Sequence, residues 1–142
     1  MHAVIDTNAL VTGLLWKGAP HTLLDTYVPR GDLVLCTSPV LVAELYRVLE
    51  YPRIAQRARA TGLDARAALS AVLAQAEIYE DVPPVRVIKE DPSDNEVLAV
   101  ALIADVDLII SGDHHLRRLK SFKGIDILTP RGALQILRRE ER

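Results

Sequence analysis

Cysteine is almost absent from this 142-residue chain, with Cys36 the only one. That excludes an internal disulfide and a zinc cluster built on thiolates, and Cys36, inside an apolar run, reads as core. No apolar run approaches the ~20 residues needed to cross a bilayer. The N-terminus enters an apolar segment at once, without the basic and apolar regions of a signal peptide, so a cytoplasmic protein is expected. Internal repeats, low-complexity stretches and long linkers are all missing, so one domain over residues 1–142 is expected. A P-loop, a dinucleotide-binding glycine pattern and a Ser-His-Asp arrangement are missing too. What remains, 49% hydrophobic and 25% charged residues, is the composition of an ordinary globular protein.

The net charge of −2 hides an asymmetry. Residues 1–113 carry 9 Lys/Arg against 16 Asp/Glu, a balance of −7, and residues 114–142 carry 8 against 3, a balance of +5. An acidic body with a basic end suits a cation site beside a surface for a polyanion. A solvated, salt-bridged last helix explains the same charges.

The stretch Ala3-Val4-Ile5-Asp6-Thr7-Asn8 organises the rest. A short apolar run of this kind reads as a buried parallel strand, here ending in a carboxylate with Thr7 and Asn8 in the turn. Further strands are expected at Leu33–Cys36, Val85–Ile88, Asp107–Ser111 and Ile125–Leu128. Helical patterns lie between them: Ala9–Trp16, His21–Val28, the segment opened by Ser38-Pro39, Ile54–Ala60, Asp64–Tyr79, about Ser93 to Ala104, Leu116–Leu119 and Gly132–Arg139. Ser38 before Pro39 is a helix-start signal, and Asp91 before Pro92 is another. Alternation of strands and helices argues an α/β fold, a mostly parallel central sheet of about five strands with helices on both faces.

In such sheets the crevice beyond the carboxyl ends of the strands is the functional edge. Asp6 and Asp113 each stand just past the end of an apolar strand. Glu44 shares an inward stripe with Leu41, Leu45 and Val48, where an ionised group costs several kcal/mol unless compensated. Asp94 belongs to the acidic run Glu90-Asp91-Pro92-Ser93-Asp94-Asn95-Glu96 at a helix start. Each acid has a modest explanation of its own: helix capping for the run, an ion pair with Arg47 for Glu44. Four such explanations at corresponding places are less economical than one common site. Clustered carboxylates stay ionised at neutral pH only with a cation beside them. Oxygen donors without cysteine suit Mg²⁺ or Mn²⁺, and the chemistry that fits best is hydrolysis of a phosphodiester.

At these residues the chain resembles the PIN-domain nucleases. The matching pieces are Val4-Ile5-Asp6-Thr7-Asn8, Ser38 to Glu44, Asp91-Pro92-Ser93-Asp94 with Ala99 and Ala101, and Ser111-Gly112-Asp113 with Leu116. The likeness runs in order along essentially the whole chain and is strongest to the VapC-like toxins of toxin–antitoxin pairs. It implies a PIN-like fold and a Mg²⁺- or Mn²⁺-dependent endoribonuclease, often dimeric and held inactive by a small antitoxin. It further implies that Asp6, Glu44, Asp94 and Asp113 form the metal-binding quartet, with Asn8 and Ser111 as polar support. The chain departs from the family at His115, where a second acid often stands; a neutral histidine there removes one negative charge and tilts the metal choice towards Mn²⁺, a protonated one contacts phosphate, or the ring only packs at the rim. Arg117, Arg118, Lys120 and Lys123 are the candidates for gripping RNA. Two other readings are set against this one. A haloacid-dehalogenase-like phosphatase wants an Asp where Asn8 stands, and a PIN-like interaction module would use the acids only as caps and ion-pair partners.

Overall fold

The computed structural model describes residues 1–88 and 92–141. Its centre is a six-stranded sheet in the order β3-β2-β1-β4-β6-β5. The strands are β1 (His2–Ile5), β2 (Val34–Thr37), β3 (Glu77–Ile78), β4 (Leu108–Ile110), β5 (Ser121–Phe122) and β6 (Ile125–Leu128). All neighbours are parallel except β5 and β6. That last pair is a hairpin across Lys123-Gly124, both with positive φ (49° and 84°), the backbone twist that matches paired strands across a two-residue turn.

Side chains of successive strand residues point to opposite faces, and the core divides accordingly. Ala3, Ile5, Leu35, Leu108 and Ile110 pack with α1 (Thr7–Leu15), α5 (Ala65–Leu73) and α8 (Pro130–Glu140). Val4, Cys36, Ile109 and Ile127 pack under α6 (Pro92–Ala104). Helices on both faces with a mostly parallel sheet are the architecture expected from the sequence. In α6, Val97 to Ala101 are all buried in succession. A helix that is apolar around most of its girth belongs inside. Burial also pushes the Cys36 thiol up to about 11, so it is an inert core group rather than a nucleophile.

The remaining helices are α2 (Ala19–Thr22), α3 (Pro39–Val48), α4 (Pro52–Thr61) and α7 (His114–Arg117). The expected helix His21–Val28 is instead the end of α2 followed by a π-helical turn, Leu23–Tyr27, closed by Val28 N–H to Leu23 O at 3.1 Å. Gly13 lets α1 and α2 approach closely, since a Cβ there would sit 2.8 Å from Pro20 O.

Two expectations fail together. Val85–Ile88 is not a strand; the N–H groups of Val87 and Ile88 donate to Asn95 Oδ1 at 2.9 and 2.7 Å, and Asn95 Nδ2 donates back to Ile88 O at 2.5 Å. A side-chain amide has taken the main-chain groups a strand would use. The sheet edge is filled by Glu77–Ile78, which the pattern had placed in a helix running to Tyr79. That helix stops at Leu73, and Tyr79 N–H then reaches Thr37 O at 2.8 Å. Pairing with β2 overrides the local alanine-rich preference, as strand formation depends on context. The proposed cap at Asp91 lies outside the described residues, as does Glu90.

Candidate active site

The loops leaving β1, β2 and β4 meet at one edge of the sheet. Asp6 follows β1, and its own N–H still belongs to the ladder, donating to Ile110 O at 3.0 Å. Ser111 likewise donates from its N–H to Leu128 O at 2.8 Å. These backbones are fixed by strands, so the side chains they carry are placed by the sheet rather than by flexible loops.

Asp6 is 4% exposed and caps α1, with Oδ1 accepting from Ala9 N–H at 2.8 Å. Its Oδ2 accepts from the hydroxyl of Ser111, which is fully buried. Ser111 Oγ in turn accepts from Asp113 N–H at 2.9 Å, and Asp113 Oδ1 caps α7 by accepting from His115 N–H at 2.7 Å. Ser111 is thus a strut between the two aspartate-bearing turns. Capping and a site role are compatible here, because each carboxylate oxygen offers more than one lone pair.

Asp94, in the first turn of α6, is also 4% exposed. Glu44 projects from α3, with Oε2 at 3.9 Å from an Arg47 nitrogen. The helical ion pair anticipated from the spacing therefore exists, yet it does not take Glu44 away from the edge. Asp6, Glu44, Asp94 and Asp113 all line a single cleft of about 260 Å³, together with Thr7, Asn8, Arg47, Val48, Tyr51, Ser93 and Val97. Ser38, the cap of α3, donates to Glu96 Oε2 at 2.6 Å and ties α3 to α6, the helices carrying Glu44 and Asp94.

Burial drives the Asp6 carboxyl pKa upward. The hydrogen bonds from Ser111 and Ala9 offset this only in part, and the negative charge of Asp113 adds to it. A buried acid beside another acid is a poor place for a bare negative charge and a good place for a cation. The donors are hard oxygens, and the set fits Mg²⁺ or Mn²⁺. One group adds nitrogen: a carboxylate oxygen of Asp113 and ring nitrogens of His114 and His115 lie within 4.8 Å of one another.

The raised pKa carries a stability consequence. An acid whose folded pKa exceeds its unfolded one contributes stability that is fully present below the unfolded value and lost as pH rises through the folded one. Without metal, the Asp6 carboxyl therefore contributes less stability at neutral pH than in acid. Asp6→Asn keeps a cap for Ala9 N–H, so its Tm in chelator should exceed that of the wild type at pH 7. The gap should close as pH falls towards the ordinary aspartate value of 3.8; a gap unchanged between the two pH values would refute the assignment.

The other sequence candidates fall in different places. Asn8 is exposed on the cleft wall. His115 is half-buried, its Nδ1 3.4 Å from Asp113 Oδ1 and its ring 4.1 Å from that of His114. Arg117, Arg118, Lys120 and Lys123 are exposed, and none of them lines the cleft. Sequence reasoning passed over Arg47 and Tyr51 as cleft residues. The signal was available: 44, 47 or 48, and 51 recur at helical spacing and share a face.

The model of the PIN domain matches residues 2–115 of this sequence. The chain belongs to the PIN-domain family. Among solved structures, the PIN domain described here is similar to a chain in the crystal structure of VapBC2 from Rickettsia felis bound to a DNA fragment from their promoter. The match has a TM-score of 0.57 at 13% identity and covers 89% of this chain and 97% of that one. At such identity the likeness is one of fold. No curated protein matches this sequence.

Proposed function

We propose that this PIN domain is a Mg²⁺- or Mn²⁺-dependent endoribonuclease that hydrolyses RNA phosphodiester bonds. The observation that carries the reading is the arrival of four carboxylates, from four separate chain segments, in one cleft. Asp6, Asp94 and Asp113 would hold the cation, and Glu44 either joins them or orients the attacking water with its longer side chain. A bound divalent cation supplies charge neutralisation at the phosphodiester and activation of water. Ser111 keeps Asp6 and the Asp113 turn in register, Asn8 offers a polar contact at the wall, and His115 beside Asp113 favours Mn²⁺ over Mg²⁺ as a nitrogen donor.

The resemblance to VapC-like toxins, together with the fold shared with a VapBC2 chain, supports a toxin role with a small antitoxin as partner, in the cytoplasm and as a homodimer. The segment beyond the family match belongs to the same unit, since Ile127 of β6 and Ala133, Leu134 and Leu137 of α8 are buried in the two core clusters. Residues 1–142 are therefore taken as one nuclease domain. Among the described residues no helix is long and apolar enough to cross a membrane.

The deciding experiment incubates purified protein with structured and unstructured RNAs in Mg²⁺, in Mn²⁺ and in chelator. Cleavage in metal that stops in chelator is expected, with a rise in Tm on metal addition, because ligand binding to the folded state stabilises it. Cleavage that persists in chelator would end the metal-nuclease reading.

Grip on the RNA backbone is assigned to the exposed basic residues after Asp113. Exchanging Arg117→Ser and Lys123→Asn together should weaken binding to all sequences alike. It should also flatten the salt dependence by about 1.4 in log–log slope, near 0.7 per lost phosphate contact on a single strand. Asparagine is chosen at Lys123 because φ there is 49°, a conformation asparagine tolerates. An unchanged slope would place the grip elsewhere.

A further inference from the structure

The aromatic residues of this protein are nearly all engaged within it. Tyr27 is buried beneath the Arg30 guanidinium at 5.1 Å, and Tyr46 bonds Ser70 at 2.7 Å under Arg66 at 4.8 Å. Tyr79 donates to Glu77 at 3.1 Å, and Trp16 carries Arg53 and Arg57 at 5.5 and 5.2 Å. Among the described residues Tyr51 is the exception. It is 50% exposed and it lines the carboxylate cleft.

Its backbone is held from both sides. Tyr51 N–H donates to Val48 O at 3.1 Å, and its carbonyl accepts from Ala55 N–H at 2.8 Å. Pro52 follows it and restricts Tyr51 to extended geometry, seen at φ −61° and ψ 138°. An apolar ring is thus mounted on the corner between α3 and α4, where it does little for the core. One turn earlier is Arg47, whose side chain is 62% exposed, with a nitrogen 3.9 Å from Glu44 Oε2. Arg53 and Arg57, further along α4, are held over Trp16 instead, and Arg57 also donates to Leu15 O at 3.1 Å. Basic groups with an interleaved aromatic face are how single strands are held, the ring taking a base and the charges taking the backbone.

We propose that Tyr51 stacks an unpaired nucleobase next to the scissile phosphate, with Arg47 on the adjoining phosphate. This rests on the nuclease reading above. A base inside a duplex already has neighbours on both faces and offers the ring nothing, whereas a splayed base gains a partner.

The test is cleavage kinetics on a fluorescent single-stranded RNA of mixed sequence, on the same strand in a duplex, and on strands abasic at either nucleotide flanking the mapped cut. Tyr51→Ala should raise KM for the single strand about tenfold or more, while Tyr51→Phe and Tyr51→Trp keep it near wild type. An abasic nucleotide on one side of the cut should erase the difference between wild type and Tyr51→Ala. The duplex should show a wild-type KM at least as poor as that of Tyr51→Ala on the single strand. Mn²⁺ affinity measured by calorimetry should be the same in wild type and Tyr51→Ala. An unchanged KM in Tyr51→Ala, or a difference that survives both abasic strands, overturns the stacking role while leaving the nuclease reading intact. Wild-type protein that cleaves no RNA in metal overturns both.

Discussion

Asp6→Asn should lower RNA cleavage by a few powers of ten, equivalent to ~3–4 kcal/mol of lost transition-state stabilisation. The substitution removes a charge from the cleft at its most fixed point, the residue whose backbone lies in the β1–β4 ladder and whose carboxylate is tied to Ser111. Asp6→Glu should do little better, since an extra methylene displaces the oxygens and Mg²⁺ demands near-ideal placement. Binding of RNA should survive both changes, because the grip proposed above rests on basic side chains and not on the acids. The readout separates the steps: kcat falls, RNA affinity holds, and Mn²⁺ affinity falls with kcat. Wild-type cleavage by Asp6→Asn would remove the quartet from the mechanism. The same variant is expected to be the more heat-stable protein without metal, so its loss of activity could not be put down to unfolding.

That expected opposition between stability and activity bears on how the candidate site was legible in the sequence. Asp6 and Asp113 are favourable caps as local choices, but each follows an apolar strand at the same edge, and Glu44 on an apolar helix stripe breaks the local rule, which is where a site is looked for. The parallel sheet was legible for a related reason, because strands buried on both faces read as unbroken apolar runs. What stayed hidden was long-range. Nothing in Glu77-Ile78 announces an edge strand until β2 is beside it. The Val85–Ile88 run looks like a strand until Asn95 is seen to occupy its main-chain groups. Ser111 as a strut and the Ser38–Glu96 bond are contacts between residues 105 and 58 positions apart, and no local pattern encodes such pairs. Tyr51 was hidden differently: a residue before proline at the end of a helix has a sufficient local explanation, which masked the role proposed for it.

Leu98→Ala is expected to be the most damaging of these changes to the fold itself. Leu98 lies one turn after Asp94 on the same side of α6 and is fully buried, in a cluster with Val4, Cys36 and Ile109 from three central strands. Truncation there removes the transfer free energy of the side chain and leaves a cavity that the sheet cannot collapse to fill. The cost is ~2–5 kcal/mol, a large share of the ~5–15 kcal/mol that holds a typical domain together. A domain of this size should lose roughly 10 °C in Tm. Leu102→Ala makes the comparison, one turn further along the same helix but 36% exposed, and should cost within ~0.5–1 kcal/mol. The functional consequence follows from geometry. Asp94 is carried by the first turn of α6, so loosening the helix beneath it should weaken Mn²⁺ binding in Leu98→Ala and leave it intact in Leu102→Ala, measured well below either Tm. Equal Tm values for the two variants would mean that α6 does not pack on the sheet as described. Equal metal affinities with unequal Tm values would mean instead that Asp94 is held by its own turn and not by the core below it.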